Sequence, residues 1–261
     1  MNFINPKDIK ELKNLSFKKI YYSGDLSLLN RPKISIVGSR RPSSYVKNFT
    51  FKIANMLSQR GYVIVSGAAM GVDAIAHRGA GESNTIAVMP GGVDIKYPKV
   101  NKNLIEKIEK EALLISPFEN GFKPTRWSFV VRNEVVVLLG EVLIITEANL
   151  NSGSLRSAEF ALKHNKEIFV LPHRANESLG TNYLLKNTLA KPIYDIEEFC
   201  NRFKKYADKV DDPFIEYLKS SPLYEDAIKK YKDRIFEAEL LGEIEIIDGR
   251  VVYKNLATKG A

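Results

Sequence analysis

At 261 residues and 44% hydrophobic, the chain is long enough for one large domain, or one with a small appendage, around a substantial core. No apolar run is long enough to span a membrane, and residues 1–15 scatter charges with no apolar core, so neither a membrane segment nor a secretory signal is expected. The formal net charge of +8 lies wholly in residues 1–200, which hold 27 Lys and Arg against 19 Asp and Glu, whereas residues 201–261 balance 12 against 12.

A surplus confined to the larger segment suits a polyanion partner through counterion release, and equally suits ordinary solubility. The single cysteine, Cys200, excludes an internal disulfide and fits a reducing, cytoplasmic setting. With only His77, His164 and His173 besides, a structural zinc site is not expected.

Residues 1–32 read as a short helical or irregular lead-in ending at the turn-like Asn30-Arg31-Pro32. Short apolar runs then alternate with helical patterns. The runs fall at residues 34–37, 62–65, 85–88, 113–115, 142–145 and 168–170. They are rich in β-branched residues and nearly continuous in apolarity, as strands buried on both faces are. Between them, Phe49, Ile53 and Leu57 share helical spacing within residues 44–59, and Leu104 and Ile108 do so within residues 101–110. This alternation predicts an α/β fold, a mostly parallel sheet with helices on both faces and right-handed crossovers, over residues 33–203.

Around residues 204–212 a polar stretch ending in Asp211-Asp212-Pro213 reads as a linker. Residues 213–261 then read as a separate small domain, with two or three short helices expected over 214–220, 223–231 and 233–241. A hairpin follows, its turn at Asp248-Gly249 between residues 243–247 and 250–253. Helices followed by a two-stranded wing predict a winged-helix-like unit. Its last helix carries Asp233, Glu237 and Glu239 against Arg234, and an acidic helix does not suit a groove lined by phosphates. An interaction module, for protein or for internal packing, is the better expectation.

The expected strand ends carry the chemistry, because ligands of an open parallel sheet sit outside its carboxyl edge. The first strand is followed by Gly38-Ser39-Arg40-Arg41-Pro42 and the second by Ser66-Gly67-Ala68-Ala69-Met70-Gly71-Val72-Asp73. The third is followed by Met89-Pro90-Gly91-Gly92-Val93-Asp94 and the fifth by Asn151-Ser152-Gly153-Ser154. The sixth leads into Pro172-His173-Arg174 and then Gly180-Thr181-Asn182. Small residues let backbone N–H groups approach an anion, helix N-termini favour negative charge, and Arg40 or Arg41 adds a bidentate fork. A P-loop is excluded, since no Gly-Lys-Ser/Thr follows any of these turns. The spacing Gly67-x-x-x-Gly71 does not match a dinucleotide fingerprint.

These motifs resemble the DprA (DNA-processing protein A, Smf) family. The resemblance rests on Ile36-Val37-Gly38-Ser39-Arg40-Arg41-Pro42, on residues 65–73 followed by Ala76-His77, and on Tyr97-Pro98. It continues through Phe129-x-x-Arg132-Asn133, Ser152-Gly153-Ser154-Leu155 with Ala158, and Gly180-Thr181-Asn182, covering residues 34–194. It implies a Rossmann-like domain that binds single-stranded DNA, protects incoming strands in natural transformation and helps load the RecA recombinase. It also implies a homodimer and no catalysis, cofactor or metal. By the resemblance, Gly38, Ser39, Arg40 and Arg41 form the phosphate-contacting turn, and Arg126 contacts the DNA backbone. Phe129 borders the DNA groove, where it can stack on an unpaired base. Ser66, Gly67, Arg132, Asn133, Ser152, Gly153 and Ser154 complete the pocket. The sequence departs from the family at Glu134, where a cation is common, and in having only a short lead-in where many members carry a helical domain.

Other readings stay beside these. Asp73 and His77 share a helix face, either as an acid/base pair or as a helix-start charge and a polar contact. His173 and Arg174 either touch phosphate or simply sit in an exposed loop, and Trp127 is expected to anchor its helix to the core. Asp94 and Glu147 lack a third ligand for a metal. The competing class is a phosphoribohydrolase-like enzyme, suggested by Pro90-Gly91-Gly92, but the turn continues Val93-Asp94 without the Gly-Thr and Glu of those enzymes.

Overall fold

Strand β3 (Lys33–Val37) shows how the sheet is built. Ile34 and Ile36 face one hydrophobic cluster and Val37 faces the other, so both sides of the strand are buried. Strands β4 (Val63–Ser66), β5 (Thr85–Val88), β6 (Leu113–Ser116), β7 (Leu143–Ile145) and β8 (Ile168–Val170) are likewise buried along their whole length. Unbroken apolarity fits a parallel sheet covered on both faces. The computed structural model describes residues 2–15, 17–81, 83–206 and 213–253. The chain divides into two compact units, Met1–Asp208 and Lys209–Ala261.

In the large unit nine strands among the described residues form one sheet, ordered β1 (Asn2–Ile4)-β2 (Ile20–Gly24)-β6-β5-β4-β3-β7-β8-β9 (Lys191–Pro192). From β6 to β9 (Lys191–Pro192) every pairing is parallel. Helices α3 (Lys102–Glu111), α4 (Arg126–Leu139), α5 (Gly153–Lys163) and α6 (Leu179–Lys186) bury apolar residues in the cluster on one face. Helices α1 (Ser44–Gln59), α2 (Val72–Ala80) and α7 (Ile196–Asn201) cover the other. The fold is Rossmann-like. Strand order runs outward from β3 in both directions, to β4 on one side and to β7 on the other, which makes the carboxyl end of β3 the topological switch point.

The lead-in differs from its expectation. Besides three short 3-10 turns it contributes β1 (Asn2–Ile4) and β2 (Ile20–Gly24), antiparallel to each other and, through β2, to β6. Three residues are too few to show a period of two, and β2 owes its place to pairing with β6 rather than to its own pattern. The two-residue β9 was invisible for the same reason.

The small unit contains α8 (Pro213–Lys219), α9 (Tyr224–Leu240) and a hairpin of β10 (Ile244–Ile247) and β11 (Arg250–Tyr253). The hairpin turn has positive φ at Asp248 and Gly249, as a tight two-residue turn requires. The two helices expected at 223–231 and 233–241 both form along α9, parted by a kink at Tyr231, whose backbone is not helical. Ile235, Ala238 and Ala227 bridge the kink into a core with Phe214, Leu218, Ile244 and Val251, so burial holds both halves together. Among the described residues no helix is long and apolar enough to cross a membrane.

Candidate nucleic-acid interface

The turn after β3 is held from two sides. The Ser39 carbonyl accepts from the Val72 amide at 3.0 Å, which ties it to the start of α2. The Ser43 amide donates to Glu147 Oε2 at 3.2 Å, which ties it to the loop after β7. Within the turn, Ser39 Oγ accepts from the Arg41 amide at 3.1 Å, and Ser43 Oγ caps α1 by accepting from Val46. Gly71 has φ +76, and a Cβ there would lie 2.3 Å from the Ser39 carbonyl oxygen. Only glycine lets the two loops approach so closely. The Arg40 and Arg41 side chains are left exposed at the switch point.

The loop after β4 rests on buried polar groups. Ser66 Oγ donates to the Ile36 carbonyl at 2.7 Å, so its hydroxyl braces β4 against β3. The amides of Gly67 and Ala69 donate to Asp73 Oδ2 at 3.2 and 3.3 Å. Arg132, reaching across from α4, places Nη1 3.5 Å from the same oxygen. Burial pushes the Asp73 carboxyl up and the Arg132 guanidinium down, and each opposes the other's shift by its opposite charge. A Cβ on Gly67 would fall 1.0 Å from Arg132 Nη1, so the guanidinium lies directly on the glycine backbone. Arg132, expected to meet DNA, is 5% exposed and forms the floor beneath this loop.

His77, one turn along α2, is buried behind that floor. Its Nδ1 lies 2.6 Å from Thr85 Oγ1, whose hydroxyl donates to the Ile64 carbonyl. That commitment makes Nδ1 the donor. Burial, reinforced by the Arg132 charge, pushes the imidazole down to about 3. A neutral ring anchored to β5 is a polar contact, the second of the two readings of the pair. Cys200 is also buried, and burial pushes its thiol up to about 12.

Arg40, Gly67, Phe129 and Arg132 line one open cleft, together with Ala69, Met70, Pro90, Tyr97 and Pro98. The Phe129 ring is its centrepiece. Tyr97 meets it edge-on at 5.7 Å, and the guanidinium carbons of Arg40 and Arg132 lie 5.7 and 5.9 Å from its centroid. A flat ring with the exposed Arg40 cation beside it suits an unstacked nucleobase next to its phosphate, while Arg132 beneath is committed to Asp73.

Helix α4 delivers the rest. Thr125 and Ser128 close a capping box that fixes its start, and Arg126 is its exposed first residue. Arg126, Phe129 and Asn133 follow helical spacing on one face. Asn133 Nδ2 donates to the Gly153 carbonyl at 3.3 Å, which links this stripe to the start of α5, capped by Ser152. Ser66, Arg41, Arg126, Asn133, Ser152, Gly153 and Ser154 do not line the cleft; Ser66 and Ser154 are buried.

Glu134 turns to α5 instead, where Oε1 meets His164 Nε2 at 2.9 Å and Lys163 Nζ at 3.1 Å. Partial burial raises its carboxyl, but these two hydrogen bonds and charges outweigh that and hold it below its ordinary value. Trp127 packs edge-on against Phe118 and Phe122 yet stays 55% exposed, so it clamps the loop before α4 rather than filling the core. The Asp94 carboxylate accepts from the Gly121 amide. Among the described residues no three His, Cys, Asp or Glu side chains gather as metal ligands.

The sequence model of the DNA recombination-mediator protein A family matches residues 4–204. The chain belongs to this family. Protein Smf of Synechocystis sp. is 38% identical over 176 residues, 64% of this chain and 44% of the relative. DNA processing protein DprA of Bacillus subtilis is 31% identical over 199 residues, 75% of this chain and 67% of the relative. Against the Synechocystis protein, therefore, the chain spans less than half of the relative's length.

Among solved structures, DNA processing protein A of Helicobacter pylori, studied for its single-stranded DNA binding mode, is 43% identical with a TM-score of 0.73. The match covers 77% of this chain and 94% of that one. DprA of Streptococcus pneumoniae is 31% identical with a TM-score of 0.70, over 78% of this chain and 74% of that one. The resemblance read from the motifs is thereby shown for the family and for the Rossmann-like fold.

Tyr97, Met70 and Pro90 line the cleft without being among the site residues expected from the sequence, and the Asp73–Arg132 pair is likewise unexpected. The signal for Tyr97 lies in the Tyr97-Pro98 motif. Nothing in the sequence brings α4 over the β4 loop.

Proposed function

We propose that this chain binds single-stranded DNA along the carboxyl edge of its large unit, as a recombination mediator of natural transformation in the cytoplasm. In this role it protects incoming strands and helps load the RecA recombinase. The observation that carries the reading is the Phe129 ring flanked by Arg40 and Arg132 at the switch-point cleft. An unpaired base stacks on Phe129, Arg40 neutralises a neighbouring phosphate, and Arg126 and Asn133 guide the strand along α4. Gly38, Ser39 and Arg41 supply the turn, while Ser66, Gly67 and Arg132 support it from below. Ser152, Gly153 and Ser154 continue the same edge at α5. Family membership and the Helicobacter pylori relative, which binds single-stranded DNA, support the assignment.

The large unit acts as a homodimer. The small unit is a winged-helix-like module for protein contact, in keeping with its balanced charge and acidic last helix. Chemistry plays no part in this role, and neither cofactor nor metal is needed. The test is an affinity titration over a series of salt concentrations with matched single-stranded and blunt duplex oligonucleotides. Single strands are expected to bind far more tightly, since a duplex cannot present an unstacked base. Equal affinity for the duplex would overturn the reading.

A further inference from the structure

On the other side of the switch-point turn stands a second group of rings that the cleft does not use. Tyr45, in the first turn of α1, is 43% exposed. Its ring meets Phe49 edge-on at 4.8 Å and His173, from the loop after β8, at 5.7 Å. Two hydrogen bonds fix this group. The Tyr45 hydroxyl donates to the Pro172 carbonyl at 3.2 Å, and His173 Nε2 pairs with the Thr146 carbonyl at 2.8 Å. The loops after β7 and β8 are thus tied to the start of α1. The cations beside this group in sequence include Arg41, Lys47 and Arg174, all exposed. Arg174 is 90% exposed, with only a 4.0 Å contact to Glu177.

We propose that Tyr45, backed by Phe49 and His173, is a second stacking platform that receives a further unpaired base of the same DNA strand after it leaves the Phe129 cleft. This inference rests on the reading of the cleft as a single-stranded DNA site. Three observations join the two places. They flank one shared turn, residues 38–43, with Arg40 lining the cleft and Tyr45 in the first turn of the helix that follows. Tyr45 lies five residues after Arg40, so their Cα atoms are at most about 18 Å apart, a span of a few nucleotides. A ring held in place by its own hydroxyl loses little freedom on stacking, while exposed arginines meet the phosphates on the way. The Ser43 and Val46 amides are already committed to Glu147 and Ser43 Oγ, so the ring rather than the helix end is the binding element.

The test uses the full chain and a fluorescein-labelled oligodeoxythymidine, read by anisotropy. A second arm substitutes iodouracil along the same oligonucleotide, cross-links with light and maps the adducts by mass spectrometry. Tyr45→Leu, which keeps apolar bulk without the aromatic face, is expected to weaken binding about 5-fold or more, the lower end of one lost base–aromatic stack. Tyr45→Phe should recover most of that loss, and cross-links should fall on Tyr45 as well as Phe129. Thermal melts confirm that each variant is folded. If Tyr45→Leu binds as tightly as the unaltered chain, or adducts form on Phe129 alone, the platform is wrong and the cleft reading survives. If the unaltered chain shows no affinity for the oligonucleotide, both fall together.

Discussion

Asp73 Oδ2 and Arg132 Nη1 stand 3.5 Å apart beneath Gly67, both side chains more than nine-tenths buried. This pair, with the Gly67 and Ala69 amides on the same carboxylate, joins α2, α4 and the β4 loop. Removing one partner leaves a buried charge uncompensated. Arg132→Ala is therefore expected to lower stability by about 3–5 kcal/mol, and to weaken DNA binding only as a consequence. Gly67→Ala should act the same way, since its methyl would occupy the place of the guanidinium. Chemical denaturation of both variants checks this. A stability loss of less than about 1 kcal/mol in Arg132→Ala would show that the pair is not what holds the floor.

The parallel strands and their helices were legible because each is buried by its own residues. Residues 34–37 and 85–88 carry their apolarity locally, and α1 shows its period through Phe49, Ile53 and Leu57. The edge strands β1, β2 and β9 were not legible, because short strands exist only through their pairing. The site divides along the same line. Arg40, Gly67, Phe129 and Arg132 were identified through their motifs, and the fold gathers them around one cleft. That Arg132 serves as floor and Tyr97 as wall depends on α4 and the loop after β5 crossing the carboxyl edge, which no local pattern encodes.

His77 gives the large unit an acid-sensitive group. Its folded value of about 3 lies below the ordinary 6.5 because burial disfavours the charged ring. Below 6.5 the unfolded chain takes up a proton that the folded chain refuses, so stability is full above that pH and falls as pH drops toward 3. The slope from this residue is up to about 1.4 kcal/mol per pH unit. His77→Gln should flatten the dependence between pH 6 and 4. Urea titrations at a series of pH values measure it, and an unchanged slope in the variant would mean that other groups cause the acid sensitivity.

Assembly is the third prediction. A homodimer would double the positive edge, and two linked sites raise avidity for a long strand without any new contact. Sedimentation velocity on the full chain should show a dimer, with a long oligonucleotide bound more tightly than a short one by more than the number of sites explains. A monomer persisting to high micromolar concentration contradicts it.

The fourth prediction separates backbone contacts from everything else. Arg40 stands exposed at the turn after β3, and Arg126 is the exposed first residue of α4, one turn before Phe129. If the two hold successive phosphates, Arg40→Ala and Arg126→Ala each remove one charged contact. Affinity should fall for every oligonucleotide sequence alike, because phosphate contacts carry no base information. The slope of log affinity against log salt should become shallower by about 0.7 per contact, the single-strand value. Stability should change by less than about 1 kcal/mol, since exposed arginines add little to the fold. Arg234 in the small unit, its guanidinium 4.2 Å from the Phe214 ring centroid, serves as the control, and Arg234→Ala should leave affinity almost unchanged. One salt titration on the three variants, with thermal melts beside it, decides the matter. If Arg234→Ala abolishes binding while the other two bind normally, the DNA lies on the small unit and not along the carboxyl edge.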